Sequence, residues 1–236
     1  MIGAEQLQLG DFSTMRLGLF GGTFDPVHYG HLLLAECARE QCQLDEVWLV
    51  PAAVAPHKQG AGITPVAQRI EMLELAVGGQ ETLRVSRIEA ERSGVSFTVD
   101  TLEQLAAEDA TRELFLIVGA DTLEDLVNWR EPRRVCELAT LVVARRAGRP
   151  EPDFACLATI ASAERIAEFR RHQVEMPEMA LASRDLRKRV AAGQSIRFRT
   201  PRAVEEYIRA AGLYGQMVEE AAPAGARHHC GGAAAE

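Results

Sequence analysis

Several features that mark other classes of protein are missing from this 236-residue chain. No apolar run approaches the roughly 18 residues that a membrane-spanning helix needs. The first fourteen residues have neither the basic start nor the apolar core of a signal peptide. The five cysteines form no CxxC pair and are odd in number, which favours reduced thiols over a disulfide framework. We therefore expect a cytoplasmic protein.

Two common nucleotide-binding fingerprints, GxGxxG and GxxxxGK, are also absent, so neither a dinucleotide-binding turn nor a Walker loop applies. The net charge of −8 argues against a protein that coats nucleic acid, although local charge can still hold a small anion. His228, His229 and Cys230 stand in a tail of small residues, a composition that favours disorder over a metal site. We predict no metal site held by protein ligands alone.

Lysine is scarce, with two lysines against 24 arginines. This bias makes Lys58, within the segment Pro56-His57-Lys58, more informative than an ordinary surface lysine. A lysine offers a compact ammonium, whereas arginine presents a forked, planar group. The sequence therefore marks Lys58 as a candidate binding residue, with a solvated loop lysine as the alternative.

Short apolar runs alternate with helical patterns, which predicts an α/β fold with a doubly wound, Rossmann-like parallel sheet and a small C-terminal helical part. The predicted strands are 16–21, 46–50, 83–86, 113–118, 139–144 and 173–176. The predicted helices are 29–41, 65–77, 97–107, 121–127, 183–192 and 201–211, with 150–172 ambiguous. We expect one domain over 15–215, followed by a disordered tail over 216–236. Residues 1–14 are expected to be a flexible extension, with a start codon assigned too early as the alternative.

The stretch RLGLFGGTFDPVHYGH, residues 16–31, carries the strongest signal. An apolar strand breaks at Gly21-Gly22, where backbone N–H groups can approach a phosphate, and a helix N-terminus follows with its positive dipole. His28 and His31 are three residues apart, on one face of the first helical turn. This pattern predicts a site for a nucleotide triphosphate that needs no P-loop.

The stretch GGTFDPVHYGH resembles the (H/T)xGH signature of the nucleotidyltransferase superfamily. The matching residues are Gly21, Gly22, Thr23, Phe24, His28, Gly30 and His31. In that superfamily an ISSxxxR-like segment binds the triphosphate, and LASRDLR, residues 181–187, occupies its place here. Ser183, expected as the N-cap of its helix, and Arg187 match, while Ala182 replaces the first serine of the usual pair.

Four more segments are similar to those of bacterial nicotinate-mononucleotide adenylyltransferases. They are PHK at 56–58, SFTVDTL at 96–102, GAD at 119–121 with NWR at 128–130, and VVARR at 142–146. The resemblance covers roughly residues 15–215. It implies transfer of AMP from ATP to nicotinate mononucleotide, giving deamido-NAD and pyrophosphate, with Mg²⁺ bound mainly through the ATP phosphates.

The resemblance also implies roles for individual residues. Four would be catalytic: His28, His31, Lys58 and Arg187. Those expected to bind ATP are Gly21, Gly22, Thr23, Phe24, His28, His31, Gly119, Asp121, Ser183 and Arg187. Those expected to bind the mononucleotide are Gly22, Lys58, Thr98, Trp129 and Arg145.

Structural alternatives remain for several of these residues, because Thr98 could cap a helix, Trp129 could be core and Asp121 could be an N-cap. Two rival functions also remain: a phosphopantetheine adenylyltransferase, which shares the first motif, and a nucleotide-sensing module without turnover. The sequence leaves open the preference for nicotinate over nicotinamide mononucleotide, and it leaves open whether the protein forms a homo-oligomer.

Overall fold

The computed structural model describes residues 14–53, 62–92, 94–146 and 151–215. Its centre is a six-stranded sheet in which every neighbouring pair is parallel. The strands are β1 (Met15–Gly22), β2 (Glu46–Pro51), β3 (Leu83–Val85), β4 (Arg112–Gly119), β5 (Thr140–Arg146) and β6 (Gln173–Met176). The predicted α/β sheet is confirmed. Lys58, nearly all of the predicted extension and the whole predicted tail lie outside the described residues.

Both faces of the sheet are buried, which explains why the central strands are continuously apolar. Side chains that alternate along β4 belong to two separate cores, with Leu114 and Leu116 in one and Phe115 and Ile117 in the other. Since successive side chains of a strand point to opposite faces, helices must cover both sides of the sheet. This is the doubly wound arrangement that the alternating pattern predicts.

Eight α-helices are present in the described part of the chain. They are α1 (Tyr29–Gln41), α2 (Val66–Val77), α3 (Thr98–Glu108), α4 (Ala120–Asp125), α5 (Pro132–Leu138), α6 (Ala163–Arg171), α7 (Ser183–Ala191) and α8 (Arg202–Ala210). The sequence did not predict α5, which begins with a proline at its first position. The ambiguous segment 150–172 contains α6, preceded by the 3-10 turn Phe154–Thr159. No helix of these ranges is long and apolar enough to cross a membrane.

The strand order β3-β2-β1-β4-β5-β6 places the first and fourth strands side by side at the centre of the sheet. The chain winds outward in one direction from β1 and in the other from β4. A crevice therefore opens at the carboxyl ends of these two strands, where their following loops separate. The motif residues 21–31 leave β1 at this crevice, and residues 119–121 leave β4 there.

Candidate active site

Two cavities lie at the carboxyl edge of β1 and β4, and they share Phe20 and Gly119. The smaller one, of about 240 Å³, we call the tryptophan cavity because Trp129 lines it. The larger one, of about 570 Å³, we call the histidine cavity because His28 and His31 line it. Because the two cavities meet at the switch point of the sheet, molecules bound in them would face each other across Phe20 and Gly119.

The two histidines form a stacked pair at the start of α1. Their ring centroids are 3.7 Å apart, with an angle of 16° between the planes. His28 is the N-cap, with extended backbone, and its N–H lies 3.3 Å from His31 Nδ1, which accepts the hydrogen bond. This contact assigns the proton of neutral His31 to Nε2. His31 can therefore donate a hydrogen bond through Nε2.

Burial keeps both imidazoles neutral. It lowers the pKa of His28 to about 4, and burial together with the neighbouring His28 lowers the pKa of His31 to about 3. The edge of the Phe24 ring, with centroids 5.0 Å apart, and the tilted Phe20 ring flank His31 and contribute to this apolar setting. Near neutral pH the pair therefore offers N–H donors, without a fixed positive charge, to whatever enters the cavity.

Three helix N-termini converge on the histidine cavity. Residues at the start of α1, α4 and α7 all line it, among them Gly30, Asp121 and Ser183. The first N–H groups of a helix have no partner within the helix, and the helix dipole adds a partial positive charge at that end. Anions are held by this kind of arrangement. The cavity thus suits a polyphosphate, as residues 16–31 predict.

The second motif joins the first through hydrogen bonds across the crevice. The Ser183 hydroxyl donates to the carbonyl of Pro26 at 2.8 Å, and Arg187 donates to the carbonyl of Asp25 at 2.6 Å. The expectation that Ser183 is the N-cap of α7 is wrong, because Ala182 is the N-cap and Ser183 is the first helical residue. Its hydroxyl is directed to Pro26 instead of to its own helix. Arg187 does not line either cavity, but 38% of its side chain is exposed.

The tryptophan cavity lies against the N-terminus of α3, where Thr98 is the first helical residue. Trp129 follows a 3-10 turn. Thr98 and Trp129 both line the tryptophan cavity, so one ligand could contact the two residues together. Its wall also contains the buried Glu89, which accepts a hydrogen bond from Thr101 at 3.0 Å. Burial raises the pKa of Glu89. Glu89 was not among the predicted site residues. The sequence shows only that a carboxylate stands a few residues before the SFTVDTL segment.

The remaining predicted site residues have different positions. Gly21 and Gly22 line the tryptophan cavity, and Phe24 packs beneath His31. The Thr23 carbonyl accepts a hydrogen bond from Arg69. Arg145, expected to bind the mononucleotide, lines the histidine cavity, because β5 ends on that side of β4. It forms ion pairs with Glu151 and Glu175.

The glycine pair at the end of β1 provides the first prediction. A Cβ on Gly21 would meet no atom within 4 Å, whereas a Cβ on Gly22 would lie 2.9 Å from the buried Phe24 ring. We expect Gly21→Ala to leave the free energy of unfolding within about 0.5 kcal/mol of the parent. Because its methyl group enters space beside the tryptophan cavity, it should raise the KM of a substrate that binds in that cavity at least about tenfold.

Gly22→Ala is the matched control, since overpacking against Phe24 should cost about 1–3 kcal/mol of stability. Urea unfolding and steady-state kinetics on both variants separate the two effects. If Gly21→Ala turned over like the parent enzyme, Gly21 would have no role in ligand approach.

Three residues that support the site were not assigned roles from the sequence: Asp25, Arg69 and Tyr214. Asp25 and Arg69 are buried, at 2% and 1% exposure, and Tyr214 bonds to Asp25. One feature of the sequence could have pointed to Arg69. It is a charged residue on the apolar face of a helix, beside Ile70 and Leu73. Asp25 belongs to the motif, but its position there does not indicate that its side chain is buried.

Within the described ranges, no group of three or more His, Cys, Asp or Glu side chains is arranged to hold a metal ion. Asp121 and Glu124 are the carboxylates on the α4 side of the histidine cavity. A divalent cation there would need most of its ligands from a bound phosphate or from water. The donor set therefore fits a cation that arrives with a nucleotide.

Comparison with known proteins gives a consistent family. The cytidylyltransferase-like family model matches residues 19–189. A Thermomicrobium roseum protein named "probable nicotinate-nucleotide adenylyltransferase" is 46% identical over 199 residues, which are 84% of this chain and 91% of that protein. A Thermus thermophilus protein of the same name is 42% identical over 200 residues, 85% of this chain and 100% of that protein.

Solved structures share the fold at much lower identity. Nicotinic acid mononucleotide adenylyltransferase of Plasmodium falciparum, complexed with NaAD, superposes with a TM-score of 0.64 at 16% identity, covering 85% of this chain and 97% of that one. The family model's match, residues 19–189, contains the motifs at 21–31 and 181–187 and the residues that line both cavities. The chain therefore belongs to the nicotinate-nucleotide adenylyltransferase family, within the cytidylyltransferase-like proteins.

Proposed function

We propose that this protein transfers AMP from ATP to nicotinate mononucleotide, producing deamido-NAD and pyrophosphate, as a cytoplasmic step of NAD biosynthesis. One observation carries the proposal: two cavities with different linings meet at the switch point of the sheet, through Phe20 and Gly119. One has converging helix N-termini that suit a triphosphate. The other has an aromatic side chain and the N-terminus of α3, which suit a ring that bears a carboxylate.

In this proposal ATP occupies the histidine cavity. Its phosphates accept hydrogen bonds from His31 and His28 and from the first amides of α1 and α7. Ser183 and the exposed part of Arg187 would contact the outgoing pyrophosphate. Lys58 would add positive charge near the phosphates. Asp121, in the first turn of α4, contacts the ribose or the cation that accompanies ATP.

The mononucleotide occupies the tryptophan cavity, with its ring stacked on Trp129. Its carboxylate accepts hydrogen bonds from the amides at the start of α3, beside Thr98, and the backbone at Gly22 lies close to its phosphate. Since Arg145 lines the other cavity, its contact in this proposal is with ATP. The mononucleotide phosphate thus meets the α-phosphate of ATP near Phe20 and Gly119.

The chemistry requires alignment and charge neutralisation more than proton transfer. The attacking phosphate is already largely ionised near pH 7, since its second pKa is about 6, and no general base is needed. An oxygen of the mononucleotide phosphate bonds to the α-phosphorus, and the bond from that phosphorus to the bridging oxygen of pyrophosphate breaks. The histidine N–H groups and helix N-termini stabilise the charge that builds up on the phosphoryl oxygens.

Mg²⁺ fits this site as a companion of ATP. Bound mainly through ATP phosphates and water, with Asp121 as a candidate protein ligand, it would neutralise charge on the phosphate oxygens.

Pyrophosphate release tests the proposal. ATP and Mg²⁺ are supplied with nicotinate mononucleotide, nicotinamide mononucleotide or phosphopantetheine in parallel, and we expect rapid release with the first and much less with the other two. Release only with phosphopantetheine would keep the fold and change the substrate. If ATP bound and no acceptor gave release, the protein would be a nucleotide-sensing module.

A further inference from the structure

The loop between β1 and α1 is held in place mostly by residues far away in the sequence. Four carbonyl oxygens of this loop, those of residues 23 and 25–27, accept hydrogen bonds from side chains. Arg69 donates to the Thr23 carbonyl and Arg187 to the Asp25 carbonyl. Ser183 donates to the Pro26 carbonyl and Thr200 to the Val27 carbonyl. Three of these four donors come from the C-terminal third of the chain. The shape of this loop, which leads directly into His28, therefore depends on how the C-terminal segment packs.

Asp25 is the buried charge within this loop. Its Oδ1 accepts a hydrogen bond of 2.5 Å from the Tyr214 hydroxyl, and its Oδ2 accepts one of 3.3 Å from the Thr64 N–H. The Arg187 guanidinium lies 4.0 Å from Oδ2, at the limit of an ion pair, while its hydrogen bond goes to the Asp25 carbonyl. The carboxylate thus has two neutral donors, and Arg187 keeps part of its side chain exposed.

Tyr214 adopts an unfavourable backbone conformation to make this contact. Its φ is 61°, in the left-handed region that a bulky residue rarely occupies, and it follows Gly212, which is left-handed at 62°. Such strain persists only where surrounding contacts enforce it. Burial, and then the hydrogen bond to Asp25, raise the pKa of Tyr214, so that its hydroxyl remains a donor.

We propose that Tyr214 is a positioning residue for ATP, which keeps Arg187 available to the triphosphate by satisfying the buried carboxylate of Asp25. A buried carboxylate that loses a donor attracts the nearest cation. Without the Tyr214 hydroxyl, Arg187 would move the short distance into a full ion pair with Asp25, and its guanidinium would turn away from the phosphates. This inference rests on the proposed function, because it assigns Arg187 to ATP.

The test compares Tyr214→Phe with Tyr207→Phe. Both changes remove one hydroxyl from the C-terminal segment. Burial, and then the neighbouring Glu71 carboxylate of α2, raise the pKa of the Tyr207 hydroxyl, which has Glu71 rather than Asp25 beside it. We expect Tyr214→Phe to raise the KM for ATP about tenfold and to leave the KM for the mononucleotide within about twofold. Tyr207→Phe should change neither constant. If the KM for ATP rose equally in the two variants, the Tyr214 contact would be merely structural. The same would hold if Tyr214→Phe raised the KM for ATP and the KM for the mononucleotide equally.

Neutralising the carboxylate gives a second, independent measurement. In an Asp25→Asn background no buried charge is left to attract Arg187, so adding Tyr214→Phe should leave the KM for ATP unchanged. The comparison of Asp25→Asn with the double variant also tests the proposal if Tyr214→Phe alone fails to fold. A tenfold rise in that background would overturn the proposal.

Calorimetric titration with a non-hydrolysable ATP analogue separates this inference from the proposed reaction. If the parent protein binds the analogue without turning over any acceptor, the proposed reaction fails, and the dissociation constants of the two tyrosine variants still test Tyr214. Equal dissociation constants in parent and Tyr214→Phe would contradict the positioning role.

Discussion

Replacing His31 with alanine is expected to lower kcat/KM for adenylyl transfer by roughly 10²–10³, the usual loss when one transition-state donor is removed. His31 is the member of the stacked pair whose Nδ1 is already used, by the N–H of His28, so its Nε2–H remains for the phosphate. The neutral imidazole gives this donor a fixed direction. Its loss removes stabilisation that develops as the α-phosphate becomes more charged.

The fold should survive this change, because the Phe20 and Phe24 rings that flank His31 are held by the core. Steady-state kinetics and a thermal melt measure the two quantities on the same preparation. His172→Ala is the control, since His172 packs on Phe115 and contacts the Glu168 carbonyl, away from both cavities. Near-normal turnover in His31→Ala would remove His31 from the mechanism.

Most of the sheet could be predicted because its strands are buried on both faces. A strand such as β4 must be apolar throughout, and a run like LFLIV between polar ends is typical of such a strand. Helix α5 was missed for the opposite reason, since it has seven residues and buries only Val135 and Cys136. A helix that short shows less than two full periods of any pattern.

The motif residues could be placed because a strand end and a helix start determine their positions almost alone. His28 and His31 follow from the spacing within one helical turn, and Trp129 and Thr98 come together because both follow strand ends at one edge. For Arg145, predicted to bind the mononucleotide, the sequence could not indicate which of the two cavities it lines. The sequence shows that it ends β5, but the side of the crevice depends on the strand order, which is a three-dimensional property.

The supporting residues could not be found in this way, because their partners are main-chain atoms. Arg69 bonds to carbonyls of three different loops, and a carbonyl leaves no mark on the sequence. The contact between Tyr214 and Asp25 spans 189 positions. Such interactions appear only when the loops are already closed, and their residues look like ordinary members of a helix or a terminus.

The largest effect on stability is expected for Arg69→Met. The Arg69 guanidinium donates to the carbonyls of Thr64 at 2.8 Å, Thr23 at 2.7 Å and Ala52 at 2.7 Å, and the residue is 1% exposed. Methionine fills much of the space but leaves these carbonyls without donors. Breaking a buried charged interaction of this kind costs about 3–5 kcal/mol of the free energy of unfolding, which urea denaturation measures through the midpoint.

Arg165→Met is the matched control, because Arg165 also bonds to main-chain carbonyls, at Cys136 and Ala139, but lines neither cavity. Being half-buried, it should lose only about 1–2 kcal/mol and keep kcat/KM. Arg69→Met should lower kcat/KM even well below its melting temperature, since the Thr23 carbonyl belongs to the loop that leads to His28. If both variants kept full turnover, Arg69 would stabilise the fold alone, and the loop would hold its active shape through its C-terminal contacts.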